Sequence, residues 1–464
     1  MTRRVTVLML VLLLSGLPAI AGATQEMSGQ APSGAWYRIA APAGWQAGDA
    51  LVLYQHGFDF DAPSAPPSLG PLLDVMLHEG YAVAASSYRQ RGWALFTALA
   101  DNRELLDRFT RQFGAPGEIV SFGGSMGGLI ALKLAETRGL PPVSGVYALC
   151  PAAAGARLWD AAIDLRLAYD VVCADAGALP TGAEPLPWAF DLDRIPDDLN
   201  LDDPSDRGDF LSALLPVVRC TGLGLPNGIR NGAMKRRRTE LMAFTHITDE
   251  DFLTTNLAYA TFVLGDLVRA PDKLAGRNPF TTAGVDYSSD PAIEASIARI
   301  GADPLGAIAL RASSDFAGAI GTAKVLSLHT SQDQLVIPGN QDFLRERIAA
   351  EQLTSAIVVE DVPSHCGFTP AEGLAGWEAL RGWTAGGSQP RVSDLQTACG
   401  DLVADGIEGP CRFDPDAQVA PFDSVVRPRP AGPGLPTRLP PVGPAPLRPP
   451  RHTRGAPAAA RINP

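Results

Sequence analysis

The chain has 464 residues, and 46% of them are hydrophobic, enough for a large buried core or for more than one domain. Its net charge of -12 disfavours non-specific binding to nucleic acid. The six cysteines form no C-x-x-C pair, which argues against a structural zinc site.

The first residues read as an export signal. Arg3-Arg4 form a charged n-region, Val5–Leu14 an apolar h-region, and Ala21-Gly22-Ala23 an A-x-A cleavage site. Residues 1–23 are therefore expected to be a signal peptide, and the mature protein to be secreted or periplasmic. No later apolar stretch reaches the length of a membrane span. Residues 24–35 are expected to be a mobile N-terminus. Trp36–Ala41 reads as a strand, and Ala50–Gln55 as another that ends in His56-Gly57-Phe58. Leu72–Glu79 suggests a helix and Tyr81–Ser86 a strand. Thr97–Phe113 reads as an amphipathic helix, with Leu99, Leu105, Leu106 and Phe109 apolar.

The stretch Glu118–Leu134, EIVSFGGSMGGLIALKL, is the most informative. A short apolar run, Ile119–Phe122, has the character of a buried strand. A glycine-rich turn follows, and then apolar residues at helical spacing: Leu129, Ile130, Leu132 and Leu134. In the pattern G-x-S-x-G, Ser125 stands at the apex of a strained strand-to-helix turn. Gly123 and Gly127 carry no β-carbon where strand and helix nearly touch. The hydroxyl is then presented at a helix start, whose free N–H groups favour developing negative charge.

Val143–Leu149 is the next strand, with Cys150-Pro151 at its end. Strands alternating with helices predict a mostly parallel sheet covered by helices on both faces. That rhythm stops near Gly155. It resumes near Lys324, with strands at Val325–Leu328 and Ala356–Val359 and a closing helix at Trp377–Trp383. The expected organisation is a core formed by 24–154 and 321–390, interrupted by a mainly helical cap at 155–320 and followed by an extension at 391–464. A cap inserted at the strand ends would lie over the pocket those ends form.

Within the cap, Asp198, Asn200, Asp202, Asp206 and Asp209 fit a calcium-loop frame only in part, since position 6 is Asp203 and position 12 is not glutamate; a solvated acidic loop is the expectation. Lys235-Arg236-Arg237-Arg238 is read as a solvated helix face. Trp159, Trp188 and Phe190 are candidates to line an acyl pocket or to serve the cap's own small core. An even cysteine count in an exported chain suggests disulfides. Cys399–Cys411 is the preferred pair and Cys173–Cys220 the second. Residues 420–464 hold 13 prolines and seven arginines, with no acidic residue past Asp423. They read as a disordered, polyproline-like tail, either a dispensable appendage or a tether to an anionic surface.

A serine nucleophile needs a base, and the base needs an orienting carboxylate. Of six histidines, His452 lies in the tail, His246 in the cap and His78 in a predicted helix. His56 precedes Gly57 at a strand end, and His329 closes a strand. That leaves His365, in a loop after the last strand, where a base facing Ser125 belongs. Asp333, four residues past His329, is the expected carboxylate, with Glu360 and Asp361 as rivals.

The order Ser125, Asp333, His365, together with the elbow and the upstream His56-Gly57, resembles the α/β-hydrolase fold family. His329 to Pro338 is similar to the family's H-G-x-x-D-x-x-V-P segment, with Thr330 replacing the glycine. His365-Cys366-Gly367-Phe368-Thr369-Pro370-Ala371-Glu372 resembles secreted bacterial members described as esterases or prolyl-oligopeptidase-like. The resemblance covers about 36–154 and 321–390. It implies an acyl-enzyme on Ser125, an oxyanion held by the backbone N–H groups of Met126 and Phe58, and no cofactor or metal. Tannase-like and feruloyl-esterase-like members bridge cysteines beside their serine and histidine. Here Gly124 precedes Ser125, so Cys366 is expected to lack that partner. The leading expectation is an exported hydrolase of small-molecule or polymeric carboxylic esters. The alternatives are a serine peptidase of the same fold and, from another class, a non-catalytic binding protein.

Overall fold

The computed structural model describes residues 24–176 and 215–430. The signal segment, the Asp198–Asp209 frame, Trp188, Phe190 and the chain beyond Pro430 lie outside the described residues. One sheet contains eight strands: β1 Gln25–Gln30, β2 Trp36–Ala41, β3 Ala50–Gln55, β4 Ala82–Ser86, β5 Glu118–Gly124, β6 Gly145–Leu149, β7 Lys324–Thr330 and β8 Leu353–Val358. Their spatial order is β1-β2-β4-β3-β5-β6-β7-β8. β1 and β2 run antiparallel to their neighbours, and the rest pair in parallel.

The parallel strands are short and nearly continuously apolar because both of their faces are covered. Alternate side chains serve opposite layers. Leu51, Leu53 and Ile119 pack with Leu105, Phe109 and Leu129 from the helices Ala98–Phe113 and Met126–Ala135. Val52, Val120 and Phe122 pack on the other face with Met76, Trp377 and Leu395, from the helices Leu73–His78, Pro370–Thr384 and Val392–Ala404.

The N-terminus differs from expectation. Residues 25–30 form the edge strand β1, paired with β2 from Gln25↔Ala41 to Gln30↔Trp36. Its side chains are mostly exposed, so a ladder of backbone hydrogen bonds holds it with little burial.

Between β6 and β7 the chain leaves the sheet as a helical insertion. Leu158–Val172, Gly232–Thr245, Glu250–Ala258 and Pro304–Ser314 are its longer helices. Cys173–Cys220 ties the first of them to helix Leu215–Thr221. Leu165, Phe244, Leu257 and Leu267 are buried and continuous with the core on one sheet face, so the insertion is packed onto the sheet. A π-helical turn at Tyr259–Val263 joins Glu250–Ala258 to Leu264–Arg269. The basic run at 235–238 is only partly a solvated face: Arg237 pairs with Asp175 at 2.7 Å and Arg238 with Glu250 at 2.6 Å.

The C-terminal extension also departs from the sequence reading. Helix Val392–Ala404 is followed by the Cys399–Cys411 disulfide and a bridge from Phe413 to Val358 at the end of β8. Residues 420–430, expected to open a disordered tail, lie against both core and insertion. Phe422 meets the Phe343 ring edge-on at 4.9 Å, and Arg429 pairs with Asp164 at 2.8 Å. The arginines that gave this stretch its tail-like composition are neutralised by acids far away in the sequence. Among the described residues, no helix is long and apolar enough to cross a membrane.

Candidate active site

Ser125 sits between β5 and helix Met126–Ala135 with φ 57° and ψ -125°, a left-handed conformation that costs a non-glycine residue energy. The sheet holds it there: its N–H donates to the Leu149 carbonyl at 2.9 Å, and its own carbonyl accepts from Ala152 at 3.1 Å. The flanking glycines are obligatory. A β-carbon on Gly127 would lie 2.1 Å from the Gln55 carbonyl oxygen, and one on Gly123 would lie 2.5 Å from the Gly127 carbonyl oxygen.

The loop after β8 brings His365 to the serine. Ser125 Oγ lies 2.9 Å from His365 Nε2, and His365 Nδ1 lies 2.7 Å from Asp333 Oδ2. A buried carboxylate can only accept, so Nδ1 carries the proton and Nε2 faces the hydroxyl as an acceptor. Asp333 is fully buried at its side chain, and the other carboxylate oxygen accepts from the N–H groups of Leu335 at 2.9 Å and Val336 at 3.0 Å. These bonds aim the free oxygen at the imidazole.

His329, at the end of β7, lies behind this row. It is fully buried and donates from Nε2 to the Val336 carbonyl at 2.6 Å. Burial keeps its pKa below the ordinary histidine value, against the pull of the neighbouring Asp333 charge. Of the rival acids, Asp361 is exposed, and Glu360 is buried but accepts from the Ser364 hydroxyl. Burial raises the Glu360 pKa. Among the described residues neither rival hydrogen-bonds to the His365 ring, whose nitrogens face Asp333 and Ser125.

Two further ties position the histidine loop. Cys366 is bonded to Cys150, at the end of β6, with Cα atoms 5.5 Å apart. As expected, its partner is not the residue before Ser125, which is Gly124; the second cysteine comes instead from the neighbouring strand end. Arg412 donates to the Gly367 carbonyl at 2.8 Å while forking onto the buried Glu372 carboxylate at 2.8 and 3.0 Å. Cys150, Asp333, His365 and Cys366 bring four metal-type donors within 4.8 Å. The two sulfurs are bonded to each other and both imidazole nitrogens are engaged, so the group is not a free ligand set.

The His56–Phe58 loop passes directly over the elbow. A β-carbon on Gly57 would fall 3.7 Å from Ser125 Cβ. The His56 ring stacks on Tyr88 at 4.3 Å, and burial lowers its pKa. Among the described residues the N–H groups of Met126 and Phe58 meet no acceptor. Both residues, with Ser125, line a cavity of about 1020 Å³ that includes its opening to solvent.

Much of that cavity's lining comes from the insertion: Trp159, Leu165, Phe244 and Tyr259 line it together with Ser125. The π-helical turn begins at Tyr259, whose ring packs on Phe58 at 4.8 Å. Sequence reasoning named Trp159 but missed Phe244, Tyr259 and the C-terminal Val426. No local motif marks these residues, because they are gathered by tertiary packing. The Cys150–Cys366 tie did have a signal. With Cys399–Cys411 and Cys173–Cys220 paired, Cys150 and Cys366 are the two left over.

No family model and no curated protein matches the sequence. Solved structures with an overlapping course include a thermostable carboxyl esterase from Bacillus coagulans, 14% identical over 73% of this chain and 90% of that one, with a TM-score of 0.32. Another is a putative dipeptidyl aminopeptidase IV from Bacteroides ovatus, 11% identical over 74% of this chain and 32% of that one, with a TM-score of 0.34. A third is an epoxide hydrolase of the alpha/beta hydrolase superfamily from hot-environment metagenomes, 16% identical over 78% and 97%, with a TM-score of 0.33. Likeness at this level adds nothing about activity. The strand order with its antiparallel second strand, the serine on a strained turn after the fifth strand, and the helical insertion after the sixth give this chain the α/β-hydrolase fold.

Proposed function

We propose that this protein is an exported serine hydrolase of carboxylic esters, with Ser125 as nucleophile, His365 as base and Asp333 as its orienting carboxylate. The observation that carries the reading is the unbroken row Ser125 Oγ–His365 Nε2 at 2.9 Å and His365 Nδ1–Asp333 at 2.7 Å, with Ser125 lining a largely apolar cavity.

His365 takes the Ser125 proton as Oγ attacks the ester carbonyl. The carbonyl oxygen becomes an oxyanion, received by the Met126 and Phe58 N–H groups; each such donor is typically worth about 10²–10³ in rate. The imidazolium, stabilised by Asp333, returns its proton to the leaving alcohol as the C–O bond breaks. The acyl group then sits on Ser125. Water attacks it, with His365 again accepting a proton, and the acid leaves as Ser125 regains its hydrogen. The side chains suffice for this cycle, and the reading invokes no cofactor.

A peptidase that grips a free α-amino group would need unsatisfied carboxylates in the cavity. Asp164 lines it, but that carboxylate already accepts from the Tyr287 hydroxyl and pairs with Arg429. This favours the ester over the amine-terminated peptide. Purified mature protein should react with a fluorophosphonate and hydrolyse p-nitrophenyl esters faster than aminoacyl-nitroanilides. Faster anilide cleavage would install the peptidase reading, and a chain inert to both classes and to the fluorophosphonate would leave the binding-protein reading.

A further inference from the structure

We propose that the C-terminal strap, residues 422–429, is a wall of the substrate cavity and sets the size of acyl group the enzyme accepts, with Val426 as the principal specificity residue; this rests on the ester-hydrolase reading above. Val425, Val426 and Arg427 line the same cavity as Ser125, although some 300 residues separate them in the chain.

The strap is anchored on both sides of the cavity. On the core side, the Phe422 N–H donates to Asp342 at 3.1 Å. The chain also passes so close to Gly339 that a β-carbon there would lie 2.7 Å from the Phe422 nitrogen. On the insertion side, Arg427 pairs with Asp290 at 2.9 Å and lies over the Phe244 ring at 3.9 Å. Arg429 meets Asp160 at 3.2 Å and Asp164 at 2.8 Å. The strap therefore joins core to insertion, and Val426 between these anchors is 4% exposed.

The same contacts define the chemistry of the ligand. Among the described residues, Arg427 and Asp164 are the basic and acidic side chains in the cavity wall, and each is paired with an oppositely charged residue type. The rest of the wall is mostly aromatic or aliphatic. A charged acyl group would lose its hydration there and gain no free partner. The class indicated is esters of uncharged apolar acyl groups larger than acetyl, such as medium-chain fatty acyl esters.

The test is kcat/KM on p-nitrophenyl esters from acetate to dodecanoate, for wild type, Val426→Trp and Val426→Ala, with thermal unfolding to check that each variant is folded. Wild type should prefer a medium chain over acetate. Val426→Trp should lower the dodecanoate-to-acetate ratio about tenfold or more, and Val426→Ala should raise it, since a few methylenes of pocket contact are worth about that much. A folded Val426→Trp with an unchanged ratio overturns the proposal. So does an unchanged Val426→Ala profile if the tryptophan variant does not fold. Wild-type hydrolysis that peaks at acetate overturns the substrate class while leaving the hydrolase reading intact. Failure of wild type on every ester, with no fluorophosphonate labelling, overturns the hydrolase reading itself.

Discussion

The floor and the walls of the cavity are built in different ways. The floor, Ser125 with His365 and Asp333 behind it, is made at the ends of β5, β7 and β8, where backbone geometry fixes the side chains: Ser125 by its strained turn between two glycines, Asp333 by two backbone N–H bonds. The walls are assembled from segments far apart in sequence, Trp159 and Tyr259 from the insertion and Val426 from the strap, held by apolar packing and ion pairs. A group that must meet a reacting atom within tenths of an ångström is placed by short, rigid connections. A surface that must only fit a shape can be gathered from anywhere in the chain.

The comparison makes graded predictions. Ser125→Ala should reduce turnover by about 10⁶, the usual scale for removing a nucleophile that acts as part of a unit. It should leave the unfolding midpoint nearly unchanged. Retention of more than about a hundredth of wild-type turnover would mean that the floor is not the reacting centre. Asp333→Asn should cost about 10⁴ at neutral pH, because the amide favours the wrong imidazole tautomer. Glu360→Gln should cost far less; a reversed ranking would reassign the acid. Removing the tie between strand end and histidine loop with Cys150→Ser and Cys366→Ser should cost about 2–5 kcal/mol in thermal or denaturant unfolding, as expected for a bond closing a long loop. Asp423→Ala removes a pair with Arg157 whose carboxylate is 62% exposed. It should shift the unfolding midpoint by about 2 °C or less. A shift of about 5 °C or more would show that the strap is a cooperative part of the fold and blur the distinction between floor and wall.

The floor was legible in the sequence because its constraints are local. G-x-S-x-G needs its glycines two residues either side of Ser125, and the structure shows the carbonyl oxygens they avoid. With six histidines, elimination reaches His365, and its partner follows the preceding strand. The apolar runs at 50–55, 119–122 and 325–328 marked buried strands correctly. The rest depends on distance. Residues 25–30 look featureless because an edge strand draws on its neighbour's hydrogen bonds and buries little. Residues 420–430 look disordered because their arginines are balanced by Asp160, Asp164 and Asp290, which no local window contains. The partner of Cys366 does not stand beside Ser125, and the bond goes to a cysteine 216 residues away.

That bond closes a covalent ring. Starting at Cys150, the backbone runs through the whole insertion, β7, Asp333 and β8 before returning through the sulfurs of Cys366. Ser125 lies just upstream of the ring, and His365 is its last residue before the closure. A protease that cuts once anywhere inside the ring opens it without dividing the molecule. The fragment carrying Ser125 and the fragment carrying His365 stay joined through sulfur, and Asp333 belongs to one of them wherever the cut falls. Such a nick would be invisible on a non-reducing gel and would appear as two bands after reduction. This arrangement separates loss of chain continuity from loss of Ser125, Asp333 or His365.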